Sequence, residues 1–221
     1  MWSMVEPPVA PNSRRSPAKR DAILRAALAV FLREGYAGAS VDAVAAEAGV
    51  GKQTVYSHFG DKERLFLAAA RESNARLDAE ADAWQGPLVF GGDVRTDLTD
   101  AGLRILRIVL APDAAALHRL TIAEIARHPE LQQIWRENAS REVAEDIARY
   151  LAERDAAGDL VVPDAERAAR QFLLLLATEG RVASLHGVRP LAADECRRIA
   201  AETADLLVRG HLRRGAEDGP W

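Results

Sequence analysis

Apolar residues recur at three- and four-residue intervals along most of the chain, and the strict alternation of a half-buried strand is nearly absent. The first stripe, Ile23, Ala26, Ala27, Val30 and Phe31, predicts a helix from about Ala18 to Glu34 that stops at Gly35. A second helix starts at a Ser40 cap and ends near Ala48, and a third covers about Lys52 to Phe59. The fourth begins at Asp61 and continues to about Ala83, where WQGPLVFGG breaks it. A fifth spans about Asp93 to Leu110, Pro112 opens a sixth that ends before His128-Pro129-Glu130, and a seventh reaches about Asp155. AAGDLVVPD reads as a turn, and an eighth and ninth helix, roughly 164–186 and 191–214, precede a polar tail at 215–221. The expected fold is all-α, with about nine helices.

Only Gly49-Val50-Gly51 separates the second and third helices, the length and chemistry of a helix-turn-helix corner. Ala45 is small where the two helices would cross, Gly49 supplies the positive φ the turn needs, and Val44, Val50 and Val55 can bury against the first helix. With Val55 inward, helical geometry turns Lys52, Gln53, Thr54, Tyr56 and Ser57 outward to varying degrees and leaves His58 at the C-terminal end. A merely solvated face more often carries Glu/Lys pairs. Small hydrogen-bonding groups beside one basic residue suit a major groove, where base edges mix donors and acceptors and phosphates need positive charge.

Charge sharpens that reading. Residues 1–68 hold nine Lys/Arg against seven Asp/Glu, and residues 69–221 hold twenty against twenty-six, within a net charge of −4. The basic excess clusters at Arg14, Arg15, Lys19 and Arg20, and residues 1–17 read as a flexible basic arm whose prolines do not suit a signal peptide. Such a run is often only a solvated tail, but beside an acidic body it also suits a nucleic-acid end and a non-nucleic-acid end. The longest uncharged stretch, residues 83–92, is ten residues long, against the roughly 18 that span a bilayer. No membrane partner is therefore expected. A single cysteine, Cys196, allows no intrachain disulfide framework and favours a reducing cytoplasm.

The segment SVDAVAAEAGVGKQTVYSHFGDKERLF strongly resembles the DNA-binding domain of the TetR family of bacterial transcriptional regulators. The likeness covers about residues 18–66 and is carried most specifically by T-x-Y-x-H-F-x-x-K-E-x-L, from Thr54 to Leu65. RLTIAEIARHPELQQIWREN resembles, more weakly, the sixth and seventh helices of the AefR-like branch. The resemblance implies a helix-turn-helix DNA-binding domain at 18–66 and a ligand-binding and dimerisation domain at 67–214. It further implies that Lys52, Gln53, Thr54 and Ser57 face bases or the groove wall, while Ser40, Tyr56, His58 and Lys62 mostly hold phosphates. Lys62 has independent support. A cation in the first turn of a helix opposes the macrodipole by roughly 0.3 to 1 kcal/mol, whereas a phosphate there satisfies both the ammonium and the free amides. The alternative is that Lys62 only offsets Asp61 and Glu63; Ser40 is an N-cap on either reading.

Beyond residue 67 the chain must supply pairing and a sensor. FLLLLA, residues 172–177, is apolar around the whole helix, and Ile199, Thr203, Leu206, Leu207 and Gly210 repeat the signal more weakly. Leu173, Leu175, Thr203, Leu206, Leu207 and Gly210 are the candidate homodimer interface; the alternative is that both helices are monomer core. Twofold pairing is favoured because a lone helix-turn-helix reads only a few base pairs. Polar groups interrupting apolar faces, namely His118, Thr121, Trp135, and Thr178 with Glu179, are the guide to a pocket. The candidate effector pocket is Leu106, Leu117, His118, Thr121, Trp135, Phe172 and Leu176, each of which could instead be an ordinary core group.

Catalytic and cofactor motifs fail on inspection. GVGKQT at 49–54 would need Gly at Ala46 and Ser or Thr at Gln53 to be a phosphate-binding loop, and Thr54 occupies the third glycine of a dinucleotide fingerprint. No H-E-x-x-H, C-x-x-C or G-x-S-x-G occurs, and His118, His128, His186 and His211 are scattered. The sequence therefore calls for no cofactor, no metal and no enzymatic activity. Its expected partners are a double-stranded DNA operator, a small apolar effector and a second copy of itself, in a one-component regulator that acts as a repressor. A regulator that activates or needs a co-repressor shares every feature cited, and a helical ligand-binding or scaffold dimer with a disused DNA-binding segment is the rival from another class.

Overall fold

The computed structural model describes residues 16–85, 88–132 and 141–212, and these contain helices, turns and loops but no strand. Nine helices have defined ends: α1 Pro17–Gly38, α2 Val41–Glu47, α3 Lys52–Phe59, α4 Lys62–Gln85, α5 Val94–Val109, α6 Pro112–Glu124, α7 Arg141–Ala157, α8 Ala165–Ala183 and α9 Ala193–His211. One further helical turn lies at residues 130–132. Of the seventh helix expected to reach Asp155, residues 130–132 and α7 are helical, and residues 133–140 lie outside the described set. The basic cluster at Arg14 and Arg15, Trp135 and the tail at 215–221 also lie outside the described residues. The chain forms two compact units that divide between Ser73 and Asn74, within α4.

In the first unit, Pro17 occupies the opening turn of α1, where its missing N–H costs nothing, and Ile23, Leu24, Ala26, Ala27, Val30 and Phe31 are buried. Gly35, at φ 70° and ψ 168°, breaks the helical course where the sequence predicts a stop, and a short turn resumes to Gly38. That kink brings Tyr36 back onto the core. Its ring centroid lies 4.9 Å from Phe66 of α4, and Phe66 meets Phe31 edge-on at 5.1 Å.

The second unit packs α5, α7, α8 and α9 around Leu98, Ile105, Leu106, Ile147, Phe172, Leu176, Ile199 and Ala204, all at most 3% exposed. α8 and α5 approach closely at Gly180, where a Cβ would come within 2.5 Å of Leu106 Cδ2. Asp164 and Asp93 cap α8 and α5 through their side chains. The expected turn after α7 is pinned to the end of α9, since Val161 N–H donates to the carbonyl of His211 at 2.7 Å.

One buried carboxylate organises the start of this unit. Asp97 accepts from Tyr150 Oη at 2.7 Å and from the Gly91 and Gly92 amides at 3.1 and 2.9 Å, tying α7 and the loop before α5 to one side chain. Burial favours the neutral acid, but the bonds from Tyr150, Gly92 and Gly91 outweigh it and hold the carboxyl below the usual carboxylate range. Phe90 stacks on the Tyr150 ring at 4.0 Å. Tyr150→Phe keeps the stack and removes one donor to the carboxylate, so it should lower stability at neutral pH by about 1.5 to 3 kcal/mol. Because the folded pKa of Asp97 is lowered, its contribution is complete above the ordinary carboxylate value and is lost as pH falls through the lowered one. Denaturant titrations should show the gap between wild type and variant closing on acidification below that range.

Candidate nucleic-acid interface

Seven-residue α2 and eight-residue α3 are too short to hold their shape alone, and local contacts fix both. Ser40 Oγ accepts from the Ala43 amide at 3.0 Å and opens α2. Its end turns back on itself: Val50 N–H donates to Ala45 carbonyl at 3.0 Å, which requires the φ of +65° at Gly49. Gly51 then caps α3, with Thr54 N–H donating to its carbonyl at 2.8 Å. Val44, Ala45, Val55 and Phe59 are buried and Val50 is half-buried, as the helix-turn-helix reading requires.

This burial sorts the remaining side chains of α3. Lys52, Gln53, Tyr56 and Ser57 are exposed, and Thr54 and His58 are half-buried. Ser57 Oγ donates to the Thr54 carbonyl at 2.8 Å, which leaves its lone pairs outward. His58 is half-buried, and its Nε2 is buried with no hydrogen-bond partner among the described residues.

Two lysines flank the face. Lys62 Nζ lies 4.6 Å from the centroid of Tyr36 and 3.4 Å from the Ala37 carbonyl, so the ammonium rests on an aromatic face and a neutral oxygen. Asp61 Oδ1 accepts from the Arg64 amide at 2.7 Å, which caps α4 and offsets the cost of a cation in its first turn. Lys52 Nζ instead lies 2.8 Å from the carboxylate of Asp42 in the first turn of α2, and that hydrogen bond raises its pKa. Arg20 stands over the Phe59 ring at 5.6 Å and pairs with Glu72 at 3.9 Å. Tyr36, Asp42 and Arg20 all shape the surroundings of the face, although only Arg20 carries a sequence signal, its place in the basic run.

Residues 23–69 match the family model for bacterial regulatory proteins of the tetR family, and residues 96–210, more than half of the chain, match that for the AefR-like transcriptional repressor C-terminal domain. The chain belongs to the TetR family. A 58-residue stretch is 45% identical to the HTH-type transcriptional repressor AcnR of Corynebacterium efficiens, covering 26% of this chain and 31% of that protein. The match thus spans about a third of the length of such curated relatives. Likeness over the whole chain comes from solved structures. A Mesorhizobium loti protein assigned to the TetR family of transcriptional regulators superposes with a TM-score of 0.76 at 26% identity, over 90% of this chain and 99% of that one. Flavonoid-responsive Regulator FrrA superposes with a TM-score of 0.70 at 26% identity, over 90% of this chain and all of that one.

The remaining candidates lie in the second unit of this TetR-family chain. Leu106, Leu117, Phe172 and Leu176 are at most 2% exposed, and His118 and Thr121 are buried on α6. Burial, with Arg181, His186 and Arg119 nearby, pulls the His118 pKa down to about 4, so the ring is neutral at neutral pH. Thr178 and Glu179 are exposed, which removes them from a buried pocket.

The candidates for the pairing face differ in burial. Thr203 and Leu207, at 4% and 8% exposure, belong to the inner face of α9 with Ile199 and Ala200, and Thr203 Oγ1 donates to the Ile199 carbonyl at 2.8 Å. Leu173 is half-buried against the core. Leu175, Leu206 and Gly210 do face outward, joined by Leu174, which sequence reasoning missed because four consecutive leucines carry no periodicity. Leu174, Leu175 and Leu206 line an apolar groove between α8 and α9 together with Phe172, Thr203 and Leu207.

Gly49→Ala tests the turn. A Cβ there would meet no atom within 4 Å, so only the left-handed backbone opposes it, at about 1 to 2 kcal/mol. Thermal unfolding should show that loss, and a neutral result would mean that the turn relaxes to negative φ.

Proposed function

We propose that this TetR-family protein represses transcription by binding a palindromic operator as a homodimer, and that a small, largely apolar effector releases it. The observation that carries the reading is the outward polar face of α3, whose orientation is set by the buried Val55 and Phe59. Gln53 and Thr54 read base edges, Lys52 and Ser57 line the groove, and Ser40, Tyr56 and Lys62 hold phosphates. His58, half-buried, supports the neighbouring contacts from the protein side.

Two copies would place two α3 helices on successive major-groove faces, roughly 34 to 36 Å apart. The exposed Leu174, Leu175 and Leu206 supply the apolar surface for that pairing. Effector binding among Leu106, Leu117, His118, Thr121, Phe172 and Leu176 acts on this spacing through α4. Its 24 residues cover about 36 Å and open at Lys62, so a tilt of the helix displaces the groove-facing side chains. A coupling of about 1 to 3 kcal/mol lowers operator affinity roughly 5- to 150-fold, with the same factor of loss in effector affinity when operator is bound.

Selection of bound duplexes from random sequence tests the reading, with an imperfect palindrome as the expected product. On that duplex, Lys62→Ala should weaken binding to all sequences alike and lower the salt slope by about one per protomer, while Gln53→Ala or Thr54→Ala should relax base preference at about 1 to 3 kcal/mol. Equal losses on operator and random DNA for all three variants would refute the division of roles. In sedimentation at micromolar concentration, wild type should be dimeric, and Leu175→Glu with Leu206→Glu should give monomers that retain their helical content. A monomeric wild type would sink the pairing claim.

A further inference from the structure

The two lysines at the α3 face are held in opposite ways. Lys62 rests on the Tyr36 ring and the Ala37 carbonyl, both neutral, so it keeps a net positive charge to offer. Lys52 is paired at 2.8 Å with Asp42, and both side chains are open to solvent, at 51% and 64% exposure. A cation closely paired with a carboxylate presents almost no net charge to a polyanion, and so releases no counterion when the two approach. The pair also bridges the first turn of α2 to the first turn of α3, directly before Gln53 and Thr54. Within the operator-binding reading, on which this rests, we infer that Asp42 is a positioning residue. It holds Lys52 on the protein and withholds it from the phosphate backbone, so that binding to DNA of arbitrary sequence is kept weak relative to operator.

Asp42 therefore acts through Lys52 rather than by touching DNA. With Asn at position 42 the ammonium loses its charged partner and turns to the nearest phosphate. Non-specific affinity then rises and the ratio of operator to random binding falls. Lys62 needs no such restraint, because its contact contributes equally to every sequence and sets the baseline affinity of the interface.

The test uses the full-length protein, a fluorescent duplex of random sequence and the duplex recovered by selection, titrated between about 50 and 200 mM salt. Asp42→Asn should tighten random-sequence binding severalfold at the low end and steepen its salt slope by about one per protomer, with a smaller gain on operator. The double variant Asp42→Asn, Lys52→Ala should return the slope to its wild-type value. An unchanged slope in Asp42→Asn, with wild type binding operator normally, overturns the inference alone. A steeper slope that survives in the double variant also overturns it, by assigning the effect to direct repulsion of phosphate by Asp42. Wild type that binds neither duplex refutes the operator reading and this inference together. Thermal melting of each variant guards against a folding defect, which a salt slope would not report.

Discussion

An eight-residue helix with four polar or basic side chains exposed cannot hold its own orientation, and everything that α3 presents depends on the burial of Val55 and Phe59. Those two anchors fix its rotation about its axis, and the left-handed Gly49 with the Gly51 cap fixes its start. Rotation of a helix by one residue moves each side chain by about 100°, so a small loss of packing here would exchange Gln53 for a different outward group. The stability of this corner and the chemistry of its surface are therefore one problem. Substitutions in Val44 or Val55 would alter the exposed face without touching it.

The N-terminal elements were legible because local punctuation marks them: Gly35 at the kink, Ser40 at a cap and Gly49 in the turn. Propensity, capping and apolar spacing agree there, so period and boundary could be read together. The long-range contacts were not legible. Nothing near Tyr36 in the sequence announces that a kink returns it to Phe66 and places it beneath Lys62, and Asp42 looks like an ordinary first-turn acid until Lys52 is seen across the turn. His58 fits a motif by type, yet its half-buried position is not written in the motif.

In the second unit, legibility failed where apolar residues run consecutively. The run Leu173 to Leu176 says that a helix is apolar all round but not which leucine faces which way. The inward members are decided by Phe172 and Gly180, because close approach to Leu106 at Gly180 sets the rotation of α8, placing Leu176 inside and Leu174 and Leu175 outside. On α9 the four-residue spacing of Ile199, Thr203 and Leu207 is a core stripe, and the exposed Leu206 and Gly210 border it. The hydroxyl of Thr203 did not mark it as outward because its own helix accepts the proton at Ile199.

On the proposed operator-binding reading, the two lysines beside α3 separate affinity from discrimination on one small surface. A phosphate contact strengthens binding to all DNA, and the excess of non-cognate sequence in a genome makes indiscriminate strength a liability. On that reading, discrimination comes from short side chains such as Gln53 and Thr54, which must be held close to base edges and cannot reach across a misplaced helix. A long cation beside them is less selective, because its flexible stem finds a phosphate from many poses. In the inferred arrangement, pairing Lys52 with Asp42 makes that mobile charge a link between α2 and α3, while Lys62, seated on Tyr36, would retain the general attraction. A helix-turn-helix of this size can be both weakly attracted to arbitrary duplex and rigid where it reads sequence, provided its charges are divided in this way.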